Sequence, residues 1–93
     1  MRIEKADVVI PLNGRDAGKR FVVIETEEEY CLLADGKGRR VEKPKRKKNK
    51  HIKYDDKICG PIAEKLIKSE RVTNSEIRRA LTNLAACGEK GGM

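Results

Sequence analysis

The chain of 93 residues is poor in aromatic side chains: it lacks tryptophan, and Phe21, Tyr30 and Tyr54 are the complete set. Proteins that read single strands by base stacking present several aromatic rings, so this shortage argues against such a platform. We expect Phe21 in the core and both tyrosines at half-buried strand positions. Base stacking by Tyr30 or Tyr54 is the alternative. Any nucleic acid would then be recognised mainly by shape and backbone.

Cysteine and histidine are also scarce. Cys31, Cys59 and Cys87 are odd in number, far apart and without a CxxC pair, which predicts reduced thiols that pack as small apolar side chains. A single histidine, His51, leaves too few ligands for a zinc site. No P-loop, acid–base pair or nucleophile–base arrangement is recognisable. We therefore predict no metal, no cofactor and no enzymatic activity.

Long hydrophobic segments are missing as well. No apolar run approaches the ~20 residues that span a bilayer, so we predict no membrane association. Residues 1–5 carry charges of both signs and lack the apolar region of a secretory signal, which favours a cytoplasmic location. A chain of this length makes one small domain with a modest core.

Positive charge is plentiful and lies mostly in one segment. The chain carries a formal net charge of +7, and residues 37–50 hold nine basic side chains and one acidic side chain. We call this segment the basic strip. Its self-repulsion is relieved when a phosphate polyanion releases its condensed counterions, whereas the alternative is a solvated, flexible loop without a ligand. Its basic members are Lys37, Arg39, Arg40, Lys43, Lys45, Arg46, Lys47, Lys48 and Lys50.

The first half of the chain predicts five short strands. Residues 8–10 and 21–24 are rich in β-branched side chains, and residues 30–34 return as a partner strand. Shorter strands are predicted at 39–42 and 51–54, with Pro44 keeping the basic strip extended as an arm. Five short strands with tight turns favour a small closed barrel, because closure removes the edges of a sheet.

The hydrophobic period becomes helical after residue 56. Gly60-Pro61 predicts the start of one helix, and Thr73-Asn74-Ser75-Glu76 is a capping box that predicts the start of a second. Such short helices must bury their apolar stripes on each other, on the barrel or on a partner. We expect a barrel over 1–56, helices over 57–87, and a flexible tail over 88–93 that ends the second helix. The stripes are Ile62, Leu66 and Ile67, then Ile77, Ala80, Leu81, Leu84 and Ala85.

The loop Gly14-Arg15-Asp16-Ala17-Gly18 and the following Lys19-Arg20-Phe21-Val22-Val23 resemble a KOW motif. The block that begins at Ala34-Asp35-Gly36-Lys37 and continues over 39–47 extends the likeness to roughly residues 5–54. The chain is similar to the small bacterial KOW proteins and to a KOW-containing large-subunit ribosomal protein of archaea and eukaryotes. The resemblance implies an SH3-like barrel that binds RNA, with ribosomal RNA and the ribosome as partners.

Elementary chemistry also gives this loop a role. Gly14 and Gly18 permit positive φ angles and a close backbone approach, which would set amides and neighbouring guanidinium groups against phosphate. A tight turn that merely needs glycine is the alternative. Asp16 is expected to pair with Arg15 or Lys19, or to cap the turn. The predicted RNA contacts are the basic members of the strip together with Arg15, Lys19, Arg20 and His51, although His51 is alternatively a residue at the barrel edge.

Three functions remain open at this point. The first, which we favour, is a non-catalytic RNA-binding protein associated with the ribosome. The second is a KOW-type protein-interaction module of the translation or transcription machinery, whose helical stripe or barrel meets a ribosomal protein or a polymerase. The third is a DNA-binding protein that uses residues 73–84 as a recognition helix; Arg78 and Arg79 are its only support, and the capping box explains this helix without DNA. The KOW resemblance favours RNA over DNA.

Overall fold

The computed structural model describes residues 3–58 and 60–91, with side chains up to Leu84 in the last helix. A 3-10 turn, Asn49–His51, precedes the last strand. Two helices follow the strands, which confirms the predicted mainly β domain with a helical C-terminal part. The elements are β1 (Asp7–Pro11), β2 (Phe21–Thr26), β3 (Tyr30–Ala34), β4 (Lys45–Lys48), β5 (Ile52–Lys57), α1 (Pro61–Ile67) and α2 (Asn74–Gly91).

The five strands form one antiparallel sheet in the order β4-β3-β2-β1-β5. Strands β4 and β5 are its edges and do not pair with each other in the described part of the chain, so the predicted closure into a barrel is wrong. The charge of β4 protects the open edge of the sheet without closure. This strand has the sequence Lys-Arg-Lys-Lys, and basic side chains on an edge strand oppose pairing with a further strand.

The strand predicted at residues 39–42 is also wrong, because these residues form a bend and a turn before β4. Asp35 Oδ1 accepts the backbone N–H groups of Lys37 and Arg39, each at 2.9 Å. Asn74 Oδ1 accepts the N–H group of Val41 at 2.8 Å. These side-chain oxygens thus accept hydrogen bonds from backbone N–H groups, which in a strand would donate to a neighbouring strand.

Apolar clusters cover both faces of the sheet. Successive strand residues point to opposite faces, so Val8 and Val22 pack against the helices whereas Val9 and Phe21 pack on the other face. The cluster on the helix side also contains Leu66, Val72, Ile77, Ala80 and Leu84. The helices therefore bury their stripes on the sheet of the same chain.

One residue of the predicted stripes is misplaced. Ile67, the last residue of α1, is 58% exposed, because the helix ends there and the buried side of α1 is formed by Ala63 and Leu66. Neither helix in the described residues combines the length and hydrophobicity that a membrane crossing requires. Cys59, the side chains of Ala85 and Cys87, and residues 92–93 lie outside the part of the chain that the structure describes.

Both helix starts are where the sequence predicted them. Pro61 opens α1, and the capping box precedes α2. The N–H group of Thr73 donates to Glu76 Oε1 at 2.9 Å, and the N–H group of Glu76 donates to Thr73 Oγ1 at 3.2 Å. Helix α2 continues to Gly91, past the predicted end at Gly88, since one glycine costs a helix only about 1 kcal/mol relative to alanine.

Candidate nucleic-acid interface

The glycine loop, residues 12–18 between β1 and β2, is a compact turn that needs its two glycines. Gly14 and Gly18 have φ angles of 87° and 84°, in the left-handed region that favours glycine. The N–H group of Gly18 donates to the Pro11 carbonyl at 3.1 Å, and that of Ala17 to the Gly14 carbonyl at 3.2 Å. The side chains of Arg15 and Lys19 extend from this turn into solvent.

Two contacts bring the basic strip to the glycine loop. Arg39 donates from Nε and Nη2 to Asp16 Oδ2, both at 3.3 Å. Lys47 Nζ donates to Asn13 Oδ1 at 3.1 Å and lies beside Gly14. Asp16 therefore pairs with Arg39 of the basic strip. The sequence had suggested Arg15 or Lys19 as its partner.

These contacts assemble a basic groove on one side of the molecule. Asp16 and Asp35 also line it, but Asp16 is paired with Arg39 and Asp35 accepts backbone N–H groups. Asp16 and Arg39 form the one ion pair between described side chains in the groove. We define the basic groove by its six cations: Arg15, Lys19, Lys37 and Arg39 along its length, and Lys45 and Lys47 at the end beside Gly14.

Strand β4 divides the basic strip between two faces of the sheet. Lys45 and Lys47 pair in register with the buried residues Leu33 and Cys31, and thus lie on the face of the glycine loop. Arg46 lies on the opposite face, where its guanidinium stacks 3.8 Å from the centroid of the Tyr30 ring. The basic strip is extended over β4, and strand pairing sends its alternate side chains to opposite sides of the sheet.

Other predicted contact residues lie elsewhere. Arg20 forms an ion pair with Asp55, with Nε and Oδ2 2.9 Å apart. His51 is half-buried in the 3-10 turn, and its carbonyl accepts the N–H group of Leu12 at 2.9 Å. The remaining members of the strip are outside the groove. Arg40, Lys43 and Lys50 are exposed, and Lys48 lies on the same face as Arg46, with its Nζ 5.9 Å from the centroid of the Tyr30 ring.

Helix α2 holds the start of the basic strip, and sequence reasoning missed this contact. Arg78 donates from Nη1 to the Gly36 carbonyl and from Nη2 to Ser75 Oγ, the latter at 3.1 Å. Asn74 Nδ2 donates to Glu42 at 2.9 Å, and this hydrogen bond is the main reason why the pKa of Glu42 lies below its ordinary value. Arg78, which the DNA hypothesis needs, is thus already engaged within the chain.

Cys31 is the cysteine whose side chain the structure describes, and it is fully buried in β3, beside Lys47 of β4. Burial raises the pKa of its thiol to about 11, so the thiol stays protonated at neutral pH. Among the described residues, no group of three or more candidate ligands could hold a metal ion.

Comparison with protein-family models and with curated proteins found no match to this chain.

Proposed function

We propose that this protein is a non-catalytic, cytoplasmic RNA-binding protein associated with the ribosome, and that RNA phosphates lie in the basic groove. The observation that carries the proposal is the convergence of two distant segments, the glycine loop and the basic strip, on one groove with six cations. The pairing of β4 with β3 and the contacts of Arg39 and Lys47 hold these two cations at the glycine loop, so this part of the strip is not a free solvated loop.

The groove has the composition of a phosphate-binding surface. Arg15, Lys19 and Lys37 are exposed and have no carboxylate partner among the described side chains, so their charges are available to a ligand. If about five cations contact phosphates, the logarithm of affinity falls with the logarithm of salt at a slope of about −4.5 on a duplex. Raising salt from about 50 to 200 mM would then weaken binding by roughly 2–3 decades.

RNA is the proposed polyanion because shape and backbone recognition suit folded RNA, and because the KOW resemblance points to ribosomal RNA. Phosphate contacts position a protein without reading bases, so the groove supplies affinity more than sequence specificity. The protein-interaction alternative gains no support from the helices. Leu66 and Ile77 are buried against the sheet and do not offer an apolar stripe to a partner.

The experiment compares two triple variants with the same change of net charge. Arg15→Gln, Lys19→Gln and Lys37→Gln neutralise the groove. Lys53→Gln, Lys68→Gln and Arg79→Gln neutralise exposed cations elsewhere. Fluorescence anisotropy is measured with ribosomal RNA fragments and duplex DNA at several salt concentrations. The groove variant should reduce the salt slope by about 2–3, whereas the matched control should leave most of the slope intact.

Equal losses in the two triple variants would show a nonspecific effect of net charge and would overturn the groove. Preferential binding to duplex DNA would favour the DNA hypothesis. Sedimentation of cell extracts tests the ribosomal assignment separately: the wild-type protein should enter the ribosomal fractions, and its absence from them would remove the ribosome while leaving RNA binding in place.

A further inference from the structure

A second surface of the basic strip lies on the opposite side of β4 from the groove. Tyr30 opens β3 and is in register with Lys48 of β4, while Arg46 lies diagonally across from it on the same face. The Arg46 guanidinium carbon is 3.8 Å from the Tyr30 ring centroid, and Lys48 Nζ is 5.9 Å from it. The separation of 3.8 Å is a stacking distance, well within the reach of a cation–π contact.

A carboxylate fixes the orientation of the Arg46 guanidinium. Arg46 Nε donates to Glu27 Oε1 at 2.9 Å. Glu27 is itself held by the β2–β3 turn, where its N–H group donates to the Tyr30 carbonyl at 2.8 Å. One face of the guanidinium covers the ring, yet the Arg46 side chain remains 58% exposed, which leaves the other face open to solvent.

The surroundings of Arg46 suit a neutral ligand better than a phosphate. Glu27, Glu28 and Glu29 form the turn beside it, and all three are exposed. Their charges oppose an approaching phosphate, whereas an uncharged aromatic base is not repelled. A flat guanidinium also stacks on aromatic rings, while a lysine ammonium is a compact point charge.

We infer that Tyr30 and Arg46 form a stacking site for one unpaired nucleobase of the bound RNA. The base lies flat on the exposed face of the Arg46 guanidinium, and Tyr30 supports that group from below. This inference rests on the proposed function, because the basic groove supplies the phosphate contacts that hold the RNA. It gives Arg46 a role distinct from that of the groove cations.

The test uses two RNA hairpins with the same stem and a ten-nucleotide loop. The loop carries bases in one hairpin and only abasic nucleotides in the other, so that the phosphates are matched. Affinities are measured by fluorescence anisotropy for the wild-type protein, for Arg46→Lys, which keeps the charge and loses the flat group, and for Arg71→Lys. Arg71 is an exposed arginine outside the basic strip that stacks on no aromatic ring among the described residues, and it serves as the matched control.

The wild-type protein and Arg71→Lys should bind the loop with bases about tenfold more tightly than the abasic loop, within the range measured for base–aromatic stacking. Arg46→Lys should bind both hairpins with the affinity of the wild type for the abasic loop, at an unchanged salt slope. Equal wild-type affinities for the two hairpins would overturn the stacking site and leave the groove standing. An unchanged preference in Arg46→Lys would also overturn it. Failure of the wild type to bind either hairpin would overturn the groove and the stacking site together.

Discussion

The backbone of Gly36 lies directly against the first residue of helix α2: a Cβ atom at Gly36 would be 2.5 Å from the carbonyl oxygen of Asn74. Gly36 also has a φ angle of 78°. The turn after β3, where the basic strip begins, is thereby pressed onto the helix that follows the capping box. The helical part of the chain thus positions one end of the basic groove.

Replacing Gly36 by alanine should lower the free energy of unfolding by about 3 kcal/mol, because left-handed strain adds to a clash with backbone. Gly18→Ala, with a φ angle of 84° but nothing within 4 Å of the new atom, should cost about 1–2 kcal/mol. Gly38→Ala, with free space, should cost less than about 0.5 kcal/mol. Urea denaturation followed by circular dichroism gives the three values. Similar losses for Gly36 and Gly18 would contradict the close contact with α2.

Thr73→Ala removes the hydroxyl that caps α2 and should destabilise the protein by about 1 kcal/mol. Thr82→Ala makes the same chemical change in the exposed middle of the helix. There the hydroxyl donates to the Arg78 carbonyl at 3.0 Å, a bond that helices do not need. This control should be neutral or more stable by about 0.5 kcal/mol, since alanine favours a helix. Thermal denaturation distinguishes the two, and equal effects would argue against the capping box.

Glu76 should make stability depend on acid pH. The hydrogen bond from Lys65, at 2.7 Å, and then that from the Thr73 N–H group lower the pKa of Glu76 from its ordinary value of 4.5. A carboxyl group whose pKa is lowered by folding stabilises the protein above its unfolded pKa and loses this contribution as pH falls through its folded pKa. Unfolding free energies of the wild type and Glu76→Gln should therefore converge below about pH 4.5. Parallel curves across that range would show that Glu76 does not contribute.

Asp16 offers a test of the groove by gain of charge. Asp16→Asn releases Arg39 for a phosphate and raises the net charge of the groove, so the salt slope of RNA binding should steepen by about 0.7–0.9. Asp56→Asn makes the same change at an exposed residue of β5, and should leave the slope unchanged. Weaker binding by a folded Asp16→Asn protein would mean that Arg39 acts by holding the glycine loop and not by contacting RNA.

Elements with a strong local signal were predicted well. Phe21–Thr26 and Tyr30–Ala34 are strands, and the capping box begins α2 at the predicted residue. The weaker signal misled: residues 39–42 contain one β-branched side chain, Val41, and the N–H groups of Arg39 and Val41 donate to the side chains of Asp35 and Asn74 instead of to a neighbouring strand. The predicted closed barrel relied on the argument that closure removes the edges of a sheet. The sheet is open, and the basic side chains of edge strand β4 oppose pairing with a further strand instead.

The sequence alone determined where the positive charge lies, which loop must contain glycines, and where both helices begin, because these depend on neighbouring residues. Only the tertiary structure decided which cations share the basic groove and which face the Tyr30 ring. The reason is that the deciding contacts join distant residues: Asp16 and Arg39 are separated by 23 positions, and Gly36 and Arg78 by 42. No local pattern encodes such pairs, since they form only when the sheet and its helices pack together.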